Sequence, residues 1–220
     1  FLRILGDNSP QVKKRDPKYV DGAEPGMLFN SLTHDVIDGE KGISVIPCAY
    51  VRQYIEWQDR GQGTGAPVNI YPASSDILSK TTRDEFRKDR LPNGNYIEDT
   101  ANHFVLFENN QGIWEQALIA MKSTQRKKSK RWNSLMLGLK IKGSKGLFTP
   151  PSYSHIYTMK SMVEQNDLGT WFGWDISREG PVKDQDIYQQ AKAFSASVAA
   201  GDVKVKHEDE SSEGAEEAPY

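Results

Sequence analysis

Nine cations and no carboxylate occupy residues 122–145: Lys122, Arg126, Lys127, Lys128, Lys130, Arg131, Lys140, Lys142 and Lys145. A run of this kind attracts anions, because nothing inside it neutralises the potential it creates. Five of the charges (Arg126, Lys127, Lys128, Lys130, Arg131) fall in the first turns of a helix expected over Thr124–Ile141. There the helix macrodipole disfavours cations by about 0.3–1 kcal/mol each at low salt. An anion held by the exposed N–H groups and these side chains would offset that cost. A solvated helix face is the plainer explanation of a charge run, and the absence of any compensating acid over the stretch argues against it.

Aromatic side chains interleaved with cations form the second chemical signal. Strict alternation along Ile43–Trp57 puts Cys48, Tyr50, Arg52 and Tyr54 on one strand face, with Ala49, Val51, Ile55 and Trp57 on the other. Tyr153, His155 and Tyr157 repeat the theme on a later strand. Tyr faces stack on bases at roughly 1–3 kcal/mol per base, and Arg neutralises phosphate. The competing explanation is ordinary amphipathic Tyr on a half-exposed sheet, and Trp171, Phe172 and Trp174 fit a core role better than a stacking one.

The third signal is the C-terminus. Glu208, Asp209, Glu210, Glu213, Glu216 and Glu217 precede a terminal Tyr220, with no Lys or Arg among them. Without these six carboxylates the formal charge of −2 becomes +4, so a mildly basic body carries an acidic end. Such a segment buries too little surface to fold, and 201–220 is expected to be a disordered acidic tail. It reads as a partner-binding peptide that docks through charge and one aromatic anchor, or as a solubilising tail.

Catalytic patterns are weak. His34, His103, His155 and His207 lack metal-ligand spacing, so no metal, cofactor or catalytic residue is expected. The acids Asp35, Asp38 and Glu40 would suit Mg²⁺ in a nuclease, but they flank an Asp-Gly turn that explains them as well. Cys48, the single cysteine, excludes a disulfide framework and sits mid-strand as a structural residue.

The elements that must position these groups are short. Among 220 residues, 18 Gly and 11 Pro punctuate the chain, which favours strands and turns over long helices. Hairpins are expected at Met27–Leu32 with Asp35–Ile37, at His103–Phe107 with Trp114–Lys122, and at Ser154–Met159 with Thr170–Ser177. A short helix fits Ser74–Lys88, after the Gly/Pro-rich loop Gly61–Pro72. Two longer helices are expected. Trp132, Leu135, Met136 and Leu139 form an apolar stripe in the first; Ile187, Ala191, Phe194 and Val198 form that of Asp184–Ala200. The fold class is therefore mainly β with helical insertions: an OB-fold-like Greek-key barrel plus two helices, one domain over 1–200 with 61–90 as a loop-rich insertion. No apolar run is long enough to cross a bilayer, so no membrane is expected. The chain begins at Phe1 rather than Met, as a piece trimmed from a longer product would.

Three blocks carry a resemblance. Ser9-Pro10-Gln11 with Asp16-Pro17-Lys18-Tyr19, Met121-Lys122-Ser123-Thr124-Gln125 with Arg131-Trp132-Asn133-Ser134, and Thr149-Pro150-Pro151-Ser152-Tyr153-Ser154-His155-Ile156-Tyr157 resemble a tailed-bacteriophage family of mostly hypothetical proteins. The architecture is also similar to phage single-stranded DNA-binding proteins, with an OB body and an acidic tail ending in an aromatic residue. That resemblance implies sequence-tolerant binding of single-stranded DNA in replication or recombination, within the cytoplasm of the infected host. The tail would recruit replication or recombination proteins and compete with DNA, and a homodimer is compatible. Lys122, Arg126, Lys127, Lys128, Lys130 and Arg131 would track phosphates, while Tyr50, Tyr54, Tyr153 and Tyr157 stack bases around Arg52. Two other classes stay open: a protein-interaction module inhibiting a host factor, and a metal-dependent nuclease.

Overall fold

The computed structural model describes residues 1–205 apart from 60, 64, 168 and 204. Its first three strands, β1 (Leu2–Ile4), β2 (Leu28–Asn30) and β3 (Val36–Ile37), make a small antiparallel sheet. The turn after it is built by Asp38, whose Oδ1 accepts the backbone N–H groups of Glu40 and Lys41. Those backbone hydrogen bonds, that of Lys41 foremost, hold the Asp38 carboxyl below its usual range. Asp35 accepts from the Thr33 hydroxyl. Two of the three acids, Asp35 and Asp38, thus make local turn contacts, while Glu40 joins the turn through its backbone N–H.

The main sheet has eight strands, and β4 (Ile43–Trp57) is its spine. Its β-branched and aromatic residues suit a pleated, buried surface. Pro47 cannot donate to a ladder, and the register with the neighbouring strand shifts between Pro47 and Ala49. A bulge is where a central-strand proline is tolerated. β5 (Asn69–Pro72) pairs with the far end of β4, followed by the short β6 (Thr82–Arg83) and β7 (Asp89–Arg90). A single 3₁₀ turn, Ile77–Lys80, stands where a short helix was expected. β8 (Tyr96–Glu108) runs antiparallel to β4 along most of its length and forms a hairpin with β9 (Trp114–Met121).

Helix α1 (Gln125–Gly138) follows, then an isolated hairpin of β10 (Ile141–Gly143) and β11 (Gly146–Phe148). The long hairpin β12 (His155–Asn166) and β13 (Gly169–Pro181) rejoins the sheet through β4, and α2 (Gln185–Ala200) closes the described chain. Asp184 caps α2 by accepting from the N–H groups of Asp186 and Ile187, and Gly201 ends it in the left-handed conformation. The protein is mainly β, a curled half-barrel sheet with two helices, consistent with the OB-like barrel plus helices expected.

The sheet separates two cores, and alternation along β8 shows how. Ala101, Val105 and Phe107 face one layer with Ile119, Met159, Trp174 and Trp132 of α1. Phe104 and Leu106 face the other with Ile46, Cys48 and the Ala191 and Phe194 positions of α2. The α2 stripe packs as expected, Ile187 and Val198 flanking that core. The α1 stripe does not. Its inward row is Arg126, Ser129, Trp132 and Met136, while Leu135 is exposed. The helix seats on polar sheet positions, which draws a polar row inward and rotates Leu135 outward.

One buried carboxylate fastens the far end of β4. Glu56 accepts from Asn69 Nδ2 (2.8 Å), the Tyr71 hydroxyl (2.7 Å), Asn93 Nδ2 (3.1 Å) and Asn95 Nδ2 (2.7 Å). Burial opposes its ionisation, yet the bonds from Asn95, Asn69, Tyr71 and Asn93 outweigh it and hold the carboxyl down at about 2. Glu56→Ala leaves four donors without their acceptor and is expected to cost about 2–4 kcal/mol, read as a lowered urea midpoint. A shift below about 0.5 kcal/mol would mean that water replaces the carboxylate without penalty.

Candidate nucleic-acid interface

α1 begins abruptly. Ser123 has a positive φ of 46°, and Thr124 at the cap donates no side-chain capping bond and accepts none. No acid occupies the first turn. The helix is held instead by what its inner row meets on the sheet. Ser129 Oγ lies 2.8 Å from His103 Nε2, both groups buried. The His103 ring stacks on Trp132 at 4.7 Å, Trp132 meets Tyr157 edge-on at 5.7 Å, and Tyr50 tilts against His103 at 5.0 Å. Four rings thus run from the surface at Tyr50 into the core at Tyr157.

Beside this ladder the charges are partly neutralised. Arg52 makes a bidentate pair with Asp99, at 2.8 and 2.9 Å, across the β4–β8 ladder. Arg126, buried at 8% exposure, brings its Nε within 3.1 Å of the same carboxylate without hydrogen-bond alignment, and its Nη1 is buried without a hydrogen-bond partner. Two guanidinium groups thus share Asp99. The Asp99 hydrogen bond, more than its charge, raises the Arg52 pKa. Lys122 pairs with Glu98 at 3.3 Å, and Lys128 pairs with Glu164 at 2.6 Å.

The structure therefore divides the residues expected to bind. Tyr50, Arg52 and Arg126 gather at the start of α1, with Tyr50 41% exposed, while Lys122 pairs with Glu98, which neighbours Asp99 on β8 and so lies on the opposite sheet face. Lys127, Lys130 and Arg131 lie at i, i+3 and i+4 on the opposite, outward face of α1, exposed and without an ion pair among the described residues. Lys128 is tied back to the β12–β13 hairpin.

Three tyrosines depart from the expected platform. Tyr157 is fully buried under Trp132 and offers no free face. Tyr54 is buried with Ile77 and Ile97, its ring 5.1 Å from the Arg52 guanidinium. Tyr153 lies on the other side of the sheet, against Tyr188 of α2 at 5.4 Å. Cys48 does not share a face with Tyr50 either, because the bulge shifts the alternation and sends it into the α2 core. Burial there pushes its thiol up to about 12, against one backbone hydrogen bond from Leu106. The tail residues Glu208, Asp209, Glu210, Glu213, Glu216, Glu217 and Tyr220 lie outside the described residues.

The residues missed as binding candidates are those after α1. Lys140, Lys142 and Lys145 are all exposed on or beside the β10–β11 hairpin, which among the described residues pairs with no other strand. Lys140 Nζ donates to Thr149 Oγ1 at the base of the hairpin. The signal was available, since no Asp or Glu occurs anywhere from Gln116 to Val163. Six exposed cations with no ion pair among the described residues (Lys127, Lys130, Arg131, Lys140, Lys142, Lys145) form a continuous stretch of chain with no acid among them.

Exposed ammonium and guanidinium groups without neighbouring carboxylates in the chain are chemistry suited to attracting anions. Among the described residues no group of three or more His, Cys, Asp or Glu side chains is placed to hold a metal ion. No helix is long and apolar enough to cross a membrane. A family model described as Pam3 phage gp34-like protein matches residues 1–204. No curated protein and no solved structure matches the chain.

Proposed function

The chain belongs to the Pam3 phage gp34-like family, and from that premise we propose that it binds single-stranded DNA without sequence preference, serving phage replication or recombination. The observation that supports this reading is the set of six exposed cations, Lys127, Lys130, Arg131, Lys140, Lys142 and Lys145, in a stretch without carboxylates. Phosphates neutralised by such a set release counterions and supply affinity that no base has to be read to obtain. The binding surface is then an outward helix face continued by a hairpin, not a groove between α1 and the Tyr-bearing strands. Tyr50, Arg52 and Arg126 stand at its inner end. No catalytic step is assigned to it. The acidic C-terminal residues, in this reading, compete for the cations and recruit partner proteins.

The test is a mobility-shift series with oligo-dT of increasing length, against duplex of equal length, at several salt concentrations. Retention is expected to grow with length and to favour the single strand. With six phosphate contacts, log K should fall with log salt at a slope of about −4. Tighter binding of duplex, or a slope near zero, would sink the proposal.

A second reading is supported by Leu135, Leu137 and Leu147, which stand exposed among the same cations. Apolar side chains rimmed by lysines also suit a protein partner with an acidic surface, as a host-directed interaction module would have. That reading predicts no length-dependent retention of any oligonucleotide.

A further inference from the structure

We infer that Phe148, on the exposed β10–β11 hairpin, is the side chain that stacks on nucleic-acid bases. The inference deepens the single-strand reading and rests on it. The antiparallel register pairs Ile141 with Phe148, Lys142 with Leu147 and Gly143 with Gly146. Residues directly opposite share a face, and faces alternate along each strand. Phe148 therefore lies on one face with Ile141, Gly143 and Gly146, and Lys142 on the other.

The ring is held in place by a missing side chain. A Cβ at Gly143 would come within 3.1 Å of Phe148 Cε1 and 3.3 Å of Cδ1, so the ring lies close over the Gly143 backbone. Phe148 is still 48% exposed. A large ring propped against backbone and open to water is an uncommon use of phenylalanine, and among the described residues no other strand pairs with the hairpin. A two-stranded hairpin alone is marginal in water, which argues that something packs on it.

Charge decides what that is. Lys142 lies on β10, on the face opposite the ring, Lys145 in the turn and Lys140 just before β10. All are exposed and without an ion pair among the described residues, and no carboxylate lies within fifteen residues of Phe148 along the chain. An anionic ligand with flat apolar groups matches both halves of this surface, and a single-stranded polynucleotide is one: bases for the ring, phosphates for the flexible ammonium groups. A duplex hides its base faces in the stack and gains only the electrostatic half.

The experiment compares wild type, Phe148→Ala and Phe148→Trp on oligo-dT and on an abasic strand with the same number of phosphates. Phe148→Ala is expected to weaken oligo-dT binding by about 5- to 150-fold per lost stacked base and leave abasic-strand binding and the salt slope unchanged. Phe148→Trp should retain the affinity, with fluorescence quenched on oligo-dT and not on the abasic strand. Equal losses on both strands, or no loss on either, overturn the inference alone. A wild type that binds neither strand overturns it together with the reading beneath it, and would leave the hairpin to an acidic protein.

Discussion

Lowering the pH from 7 to 5 is expected to destabilise this protein before most of its carboxylates begin to titrate; His103 is the main reason, with His155, whose pKa burial also lowers, adding in the same direction. The ring is buried, stacked on Trp132, and within 2.8 Å of Ser129 Oγ. Burial, and to a lesser degree the Arg126 charge, pushes its pKa from 6.5 to about 3. The other groups packed around it do not reverse this: Tyr50 and Trp132 supply rings, and Asp99 is engaged by Arg52 and Arg126. A neutral histidine is therefore built into the fold.

The sign follows from linkage. The unfolded chain takes up the His103 proton near pH 6.5 and the folded one only near 3, so the unfolded state binds more protons between them. Stability from this group is complete above about 6.5 and falls by roughly 1.4 kcal/mol per pH unit below it. Glu56 acts later, its contribution being lost as the pH falls from 4.5 towards about 2. Urea midpoints at pH 7.5, 6 and 5 test the idea. His103→Gln, which can still bond Ser129, should make the decline between 6.5 and 5 shallower, leaving the part due to His155. If the variant and the wild type lose stability in parallel, His103 is not the titrating group.

The same cluster shows what the sequence could and could not disclose. β4 was legible from Ile43 to Trp57 because β-branched and aromatic residues dominate it, and α2 was legible from its stripe, its Asp184 cap and Gly201. What alternation could not reveal was the bulge at Pro47, a one-residue slip that sends Cys48 to the α2 side and leaves Tyr50 on the α1 side. Nor could the cationic run disclose its own geometry. The charges at 126 and 128 are drawn onto Asp99 and Glu164, which lie 27 and 36 residues away in the chain. Pairing at such separations leaves no local trace. The hairpin after α1 was hidden for another reason: three-residue strands joined by Ser144 and Lys145 carry too little periodicity to be recognised, although their lysines were visible.

Replacing Lys127, Lys130 and Arg131 together with glutamine should separate what the outer face of α1 does for binding from what it does for folding. None of the three makes an ion pair among the described residues, and all are exposed opposite the buried row of Arg126, Ser129 and Trp132. For folding, removing Lys127 relieves an unfavourable charge near the helix N-terminus, so stability should hold or rise by a few tenths of a kcal/mol. For binding, three of the six proposed phosphate contacts would be lost. The salt slope on oligo-dT should fall from about −4 to about −2, and affinity at 0.1 M salt should drop by about 100-fold from lost counterion release alone. The opposite signs make the result hard to imitate, because a variant that merely misfolds loses both. Should the triple variant keep the wild-type slope, the phosphates are held elsewhere, and the paired cations Arg52, Lys122 and Arg126 would have to exchange Asp99 and Glu98 for DNA. That exchange would leave two carboxylates beside the bound strand, which is why the unpaired face is the one expected to carry the binding.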